Sequence, residues 1–187
     1  SNVSAEVDNL QRYLQGILSQ RELCQNALRD AVDTAVTPGN KIVFPMAANA
    51  RVNVPVIQIK NESMTNGVLA LQTNSALTPQ LTIASIELWN RDVNNNDRPD
   101  DPATPAVAVM TKIHGRDYRV QQAELVLNVA WAGGNLSGGT ALRLRKIPLV
   151  LTIRDSNNQI DYCDFAEEDV KTADCTQYVL VPPALPA

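Results

Sequence analysis

The chain has 187 residues and a mass of 20.4 kDa, enough for one domain with a sizeable core. Its net charge of -4 excludes a general phosphate-binding surface, which needs clustered Lys and Arg, so nucleic acid is not an expected partner. A single histidine argues against most His-based catalysis and His-rich metal sites, and no run of about 18 apolar residues is present to span a membrane.

The first periodic signal is helical. Val3, Val7, Leu10, Leu14, Ile17, Cys24, Leu28, Ala31 and Ala35 recur in steps of three and four, with Arg21 in one slot of the stripe. The pattern predicts one amphipathic helix over residues 3–36, ended by Thr37-Pro38-Gly39-Asn40. At about 1.5 Å per residue it would span roughly 50 Å.

After residue 40 the period shortens to that of strands, and the strand-rich region runs over about 41–181. Lys41–Phe44 is a short candidate. Arg51–Ile59 alternates, with Pro55 forcing an edge or a break. Leu81–Trp89 and Ala106–Ile113 follow, then the turn His114-Gly115-Arg116-Asp117 and a returning strand over Tyr118–Trp131. Thr140–Arg154 carries Pro148, which suggests a bulge. Asp155-Ser156-Asn157-Asn158 is a turn before Ile160–Cys163, and Gln177–Val181 is a last candidate. The expected class is α+β: a long N-terminal amphipathic helix packed on an antiparallel β-sheet, in a single domain over 1–187.

Two features carry chemistry. Asp92, Asn94 and Asn96 stand at the first, third and fifth places of a calcium-loop pattern, and Asp97, Asp100 and Asp101 add oxygens. Asp97 takes the usual glycine place and Ala103 stands where a bidentate glutamate is needed, which rules out an EF-hand. An irregular calcium site and a solvated Asn/Asp turn both remain open. The cysteines Cys24, Cys163 and Cys175 allow three pairings, or stand as three buried free thiols. Cys163–Cys175 would close a short loop; a bridge from Cys24 to either would tie the N-terminal segment to the C-terminal region.

Catalysis has little support. GxSxG, HExxH and GxxxxGK[ST] are absent, and His114 sits in a turn without a nucleophile motif beside it. Glu167-Glu168-Asp169 reads as solvated surface charge. Trp89 and Trp131 read as core residues before a sugar-stacking platform.

The long opening helix from Val3 to Val36, the antiparallel strands after it and the turn-rich segment from Cys163 to Cys175 together resemble the type IV pilin-like proteins, minor pilins and pseudopilins included. The resemblance implies a non-enzymatic subunit of a type IV pilus or type II secretion-like filament, assembling through its N-terminal helix. Its partners would be other pilin or pseudopilin subunits, and the inner membrane through an anchor ahead of Ser1. It implies a place at the bacterial cell surface or in the periplasm. Val3, Val7, Leu10 and Leu14 would lie nearest the filament core, while Ile17, Cys24, Leu28, Ala31 and Val32 would pack on the subunit's own sheet. It further implies a Cys163–Cys175 disulfide, although Cys24 lies outside the usual pattern, and a stabilising calcium ion at residues 92–101. The alternative from another class is a secreted or periplasmic, calcium-stabilised, β-rich ligand-binding module.

Overall fold

The computed structural model describes residues 2–47, 49–92, 94–98, 108–131 and 144–166. Helix α1 spans Asn2–Leu18 and helix α2 spans Arg21–Ala27. Nine strands follow: β1 Leu28–Arg29, β2 Arg51–Asn53, β3 Val56–Ile59, β4 Val68–Gln72, β5 Leu81–Asn90, β6 Ala108–Ile113, β7 Arg116–Trp131, β8 Leu144–Arg154 and β9 Ile160–Phe165. The α+β expectation of one long helix on a sheet is therefore corrected: the described protein is mostly β, with two short helices.

The helix over 3–36 fails for local reasons. The Ser19 hydroxyl donates back to the Gly16 carbonyl, and Gln20 is extended, so α1 stops. Past α2, Leu28 and Arg29 pair with Ile57 and Val56 as a strand. Beyond them, short polar side chains bind loop backbone instead of facing solvent from a helix. The Asp30 carboxylate accepts from the Asn40 N–H at 2.7 Å, and the Thr34 hydroxyl oxygen accepts from the Thr37 N–H at 2.8 Å. The apolar spacing of Ala31 and Ala35 thus carried no helix.

The strands form two antiparallel sheets. The larger has the order β2-β5-β7-β8-β9, with β6 also on β7; the smaller has the order β1-β3-β4. Pro55 separates them: the expected strand over 51–59 divides into β2, which joins the large sheet, and β3, which joins the small one. Lys41–Phe44 contributes single bridges, such as Val43 to Gln159, in place of a strand.

Strand β7 is the axis of the large sheet. Its 16 residues pair with β8 on one flank, and on the other with β5 and β6 placed end to end. Asn90 at the end of β5 opposes Ala123, and Ala108 at the start of β6 opposes Gln121. The chain therefore leaves this flank and rejoins it only a residue away. The β6–β7 turn is His114-Gly115, both with positive φ (49° and 79°), the twist that suits a two-residue hairpin. Pro148 opposes Glu124 without a register shift, so the expected bulge is absent there. Its carbonyl accepts from the Ala166 N–H, which turns its ring nitrogen toward β9, where that strand ends and a missing donor costs little.

One apolar cluster fills the space between the core face of the large sheet and the elements laid over it. Ala123, Leu125 and Leu127 of β7 and Ile147, Leu149 and Leu151 of β8 meet Leu14 and Leu18 of α1, Ala27 of α2 and Ile57 of β3. Each such buried Leu or Ile side chain contributes about 1.5–3 kcal/mol. Within this cluster Cys24 of α2 is joined to Cys163 of β9, with Cα atoms 5.3 Å apart. This is one of the pairings through Cys24, and it takes the place of the Cys163–Cys175 bridge; Cys175 lies outside the described residues. Α buried arginine fastens the rim. Arg119, fully buried, donates to the Phe44 carbonyl, to Asn158 Oδ1 at 2.6 Å and to Gln121 Oε1 at 3.0 Å.

Candidate functional site

Opposite the core face, β7 presents Gln122, Glu124 and Val126, and the neighbouring strands bring polar groups beside them. Register places Trp89 of β5 opposite Glu124, Glu87 opposite Val126, and Arg51 of β2 opposite Trp89. Lys146 of β8 opposes Val126 from the other flank. The strand pleat alone thus gathers Arg51, Glu87, Trp89, Glu124 and Lys146 on one face.

The Asn-rich loop folds onto this face. Asp92 is buried, and its Oδ2 accepts from the Asp97 N–H at 2.7 Å, which closes the loop on itself. Asn95 and Asp97 hold left-handed φ angles of 53° and 60°. Asp97 stands in the place a calcium loop gives to glycine, and it takes the backbone conformation that glycine would, as Asp tolerates. The cation found against these carboxylates is Lys146: its Nζ lies 3.0 Å from Asp92 Oδ2 and 2.6 Å from Asp97 Oδ1.

The charges are mutually adjusted. Burial raises the Asp92 carboxyl, but the Lys146 ammonium and the loop N–H groups outweigh it and hold the group below its usual range. Burial likewise opposes the Lys146 charge, but Asp97 and Asp92 overcome that and push its pKa up. Glu124 responds the other way: burial raises it beyond what Lys146 and Arg91 can reverse. Asp92 Oδ1 and Glu124 Oε2 are buried without a hydrogen-bond partner among the described residues.

Beside this cluster lies a depression of ≈ 320 Å³ lined by Arg51, Glu87, Trp89, Asp97, Arg98, Asn128 and Leu144. Trp89 is only 4% exposed, and both Arg51 and Lys146 stand 5.9 Å from its ring centroid. Its faces are therefore occupied by cations, and it forms no sugar-stacking platform. The side chain of Trp131 lies outside the description.

Of the expected calcium ligands, the structure brings Asp92 and Asp97 together on Lys146. Asn94 and Asn96 belong to the same loop, and the Asn96 Oδ1 accepts from the Arg98 N–H at 3.2 Å. Asp100 and Asp101 lie outside the described residues. Among the described residues no group of three His, Cys, Asp or Glu side chains is close enough to hold a metal ion. Of the expected assembly residues, Val7 and Leu14 are fully buried in this chain's own core and Leu10 packs against it. The side chain of Val3 is outside the description. His114 is exposed at the hairpin tip.

Sequence reasoning missed Lys146 and Glu124. Glu124 had a signal, since an acid amid the apolar alternation of Val120 to Val129 marks a strand face that is buried but not purely apolar. Lys146 had none, because its partner Asp92 lies 54 residues away in the chain. No described helix is long and apolar enough to cross a membrane. Compared with known protein families, characterised proteins and solved structures, the chain matches none.

Proposed function

We propose that the protein is a non-catalytic subunit of a type IV pilus or type II secretion-like filament, working at the bacterial cell surface or in the periplasm. The observation that carries this reading is the cystine between Cys24 and Cys163. A filament subunit takes its load through its first helical segment. A covalent link from α2 to β9 passes that load into the hydrogen-bonded sheet, and such links are characteristic of oxidising compartments. The order of elements, an amphipathic helical segment followed by antiparallel strands, supports the same reading. Neighbouring subunits would engage the segment around and ahead of Val3, since Val7 and Leu14 are committed to the chain's own core. Its partners are then other pilin or pseudopilin subunits and, before assembly, the inner membrane.

The test is the gene sequence ahead of Ser1. The filament reading requires about 20 apolar residues there, preceded by a short basic leader. An ordinary cleaved secretion signal in that place overturns it.

A second reading, a secreted or periplasmic β-rich binding module, is favoured by one observation: the depression beside Trp89, with the guanidinium groups of Arg51 and Arg98, the carboxylates of Glu87 and Asp97 and the Asn128 amide around it. Titration with saccharides, followed by amide shifts at Arg98 and Asn128, decides for or against it.

A further inference from the structure

Lys146, Asp92 and Glu124 meet on the face of the large sheet away from the core. Lys146 Nζ lies 3.0 Å from Asp92 Oδ2, and the two residues are 54 apart in the chain. The Asp92 side chain is 1% exposed and that of Lys146 is 17% exposed. Glu124 stands two residues along β7 from Val126, which faces Lys146 across the register, so Glu124 and Lys146 are diagonal neighbours on adjacent strands. Glu124 is itself buried, and its carboxyl accepts from the Asp92 backbone N–H. Its Oε2 has no hydrogen-bond partner among the described residues. The buried Trp89 ring flanks the ammonium, its centroid 5.9 Å from Nζ. A primary amine, a sealed carboxyl and a second buried carboxyl are thus held together in a largely dry place.

We propose that the chain links itself: Lys146 and Asp92 condense to an intramolecular amide between Nζ and Cγ, releasing one water, with Glu124 as the acid. The freshly folded chain holds the ion pair, and that is the state whose stability titrates. Asp97 Oδ1, 2.6 Å from Nζ on the exposed side, takes one ammonium proton and leaves an amine. The amine's electron pair attacks Asp92 Cγ and forms the C–N bond. Glu124, kept protonated by burial, gives its proton to the departing Asp92 oxygen and recovers one from the nitrogen as the C–O bond breaks. Of the three ammonium protons, one remains on the amide and two leave with the oxygen as water, so Glu124 and Asp97 end as they began. Holding amine and carboxyl in contact makes the step unimolecular. The product is neutral, so condensation also removes an ion pair whose desolvation is costly. Asp92 reacts rather than Asp97, because the Asp97 side chain is 62% exposed and stays hydrated. The link is one self-directed event rather than turnover, and it is independent of the filament reading.

The experiment is intact mass spectrometry of the wild type, Lys146→Arg and Glu124→Gln, followed through prolonged incubation. The wild type is expected to become lighter by one water. Its tryptic digest should contain residues 92–112 joined to residues 146–154, because an acylated Lys146 is no longer cut, and fragment ions should place the link at Asp92. Lys146→Arg keeps the cation but offers no nucleophilic amine, so it is expected to keep its full mass. Glu124→Gln has no proton to give and is expected to form the link at least ~100-fold more slowly. Circular dichroism reports whether each variant keeps its fold; the wild-type mass needs no variant and decides the bond by itself. A wild type that keeps its full mass overturns the proposal. So does a water loss that maps to Asp97 or elsewhere, or one that persists in Lys146→Arg. A folded Glu124→Gln protein that links as fast as the wild type overturns the role of Glu124.

Discussion

Lys146 Nζ stands 2.6 Å from Asp97 Oδ1 and 3.0 Å from Asp92 Oδ2, so an ammonium from the sheet clamps the two carboxylates of the Asn-rich loop. Asp92 is nearly sealed, its side chain 1% exposed, and Lys146 is the cation that compensates it. Replacing Lys146 by Met leaves a buried carboxylate without its counterion. The expected loss is about 3 kcal/mol, read as a drop in the urea midpoint. The same variant frees two carboxylates for a competing ion. Millimolar calcium is expected to raise the melting temperature of Lys146→Met more than that of the wild type, where the ion must displace the ammonium.

The Cys24–Cys163 bridge closes a loop over a sequence separation of 139. On chain-entropy reasoning a loop of that size is worth about 5 kcal/mol, and measured cystines span roughly 2–5 kcal/mol. The double variant Cys24→Ala/Cys163→Ala is expected to lose stability within that range in urea unfolding. A reducing agent should then leave the variant's midpoint unchanged while lowering the wild type's.

Glu124 gives the protein a pH response of definite sign. Its folded pKa is raised by burial above the ordinary 4.5. The folded state therefore holds the proton more tightly, and the associated stability is full below pH 4.5 and lost as pH rises through the folded value. Glu124→Gln keeps the neutral form at every pH. It is expected to be more stable than the wild type at pH 7, with the difference closing on acidification toward pH 4. Asp33 and Asp92 act oppositely. Burial raises both carboxyls, but Lys60 and the Gly39 N–H at Asp33, and Lys146 at Asp92, outweigh it and hold both below 3.8. Their contribution is present above 3.8 and fades only below it. Urea unfolding at pH 7, 5.5 and 4 separates the two effects.

Gly67 is required by a side chain rather than by its own φ. A Cβ there would run into the amide of Gln58. That amide is fixed at both ends: Gln58 Oε1 accepts from the Asp33 N–H at 2.9 Å, and its Nε2 donates to the Asn26 carbonyl at 3.1 Å. Gly67→Ala must break one of these buried bonds or shift the strand, at a cost of about 1–3 kcal/mol. Gln58→Ala in the Gly67→Ala background should recover nothing of the lost hydrogen bonds but relieve the clash, so the two losses are expected not to add.

The large sheet was legible because most of its strand residues keep a period of two, although a register shift between Ile83 and Ser85 moves Ile86 and Leu88 onto the same buried face as Leu81 and Ile83. The expected strands Leu81–Trp89 and Tyr118–Trp131 fall within β5 and β7, and His114-Gly115 turns as its residue types require, while Arg116 and Asp117, expected in the turn, already belong to β7. The first thirty residues misled because their apolar spacing fits a helix all along, while what ends it is tertiary. Leu28 and Arg29 find a strand partner in β3, and Asp30, Asp33 and Thr34 find backbone N–H groups around Gly39. The calcium pattern misled for a related reason. Oxygen-bearing residues at alternate places announce that the loop will hold a cation, but they do not say whether that cation is an ion or a lysine brought from another strand.

The excursion between β5 and β6 leaves and rejoins the same flank of β7 almost at one point. Lengthening or shortening it leaves every strand pairing of the sheet intact, because neither end has to move. A peptide inserted in this excursion beyond the Asp92–Asp97 turn that Lys146 holds is thus expected to leave the sheet's pairing undisturbed.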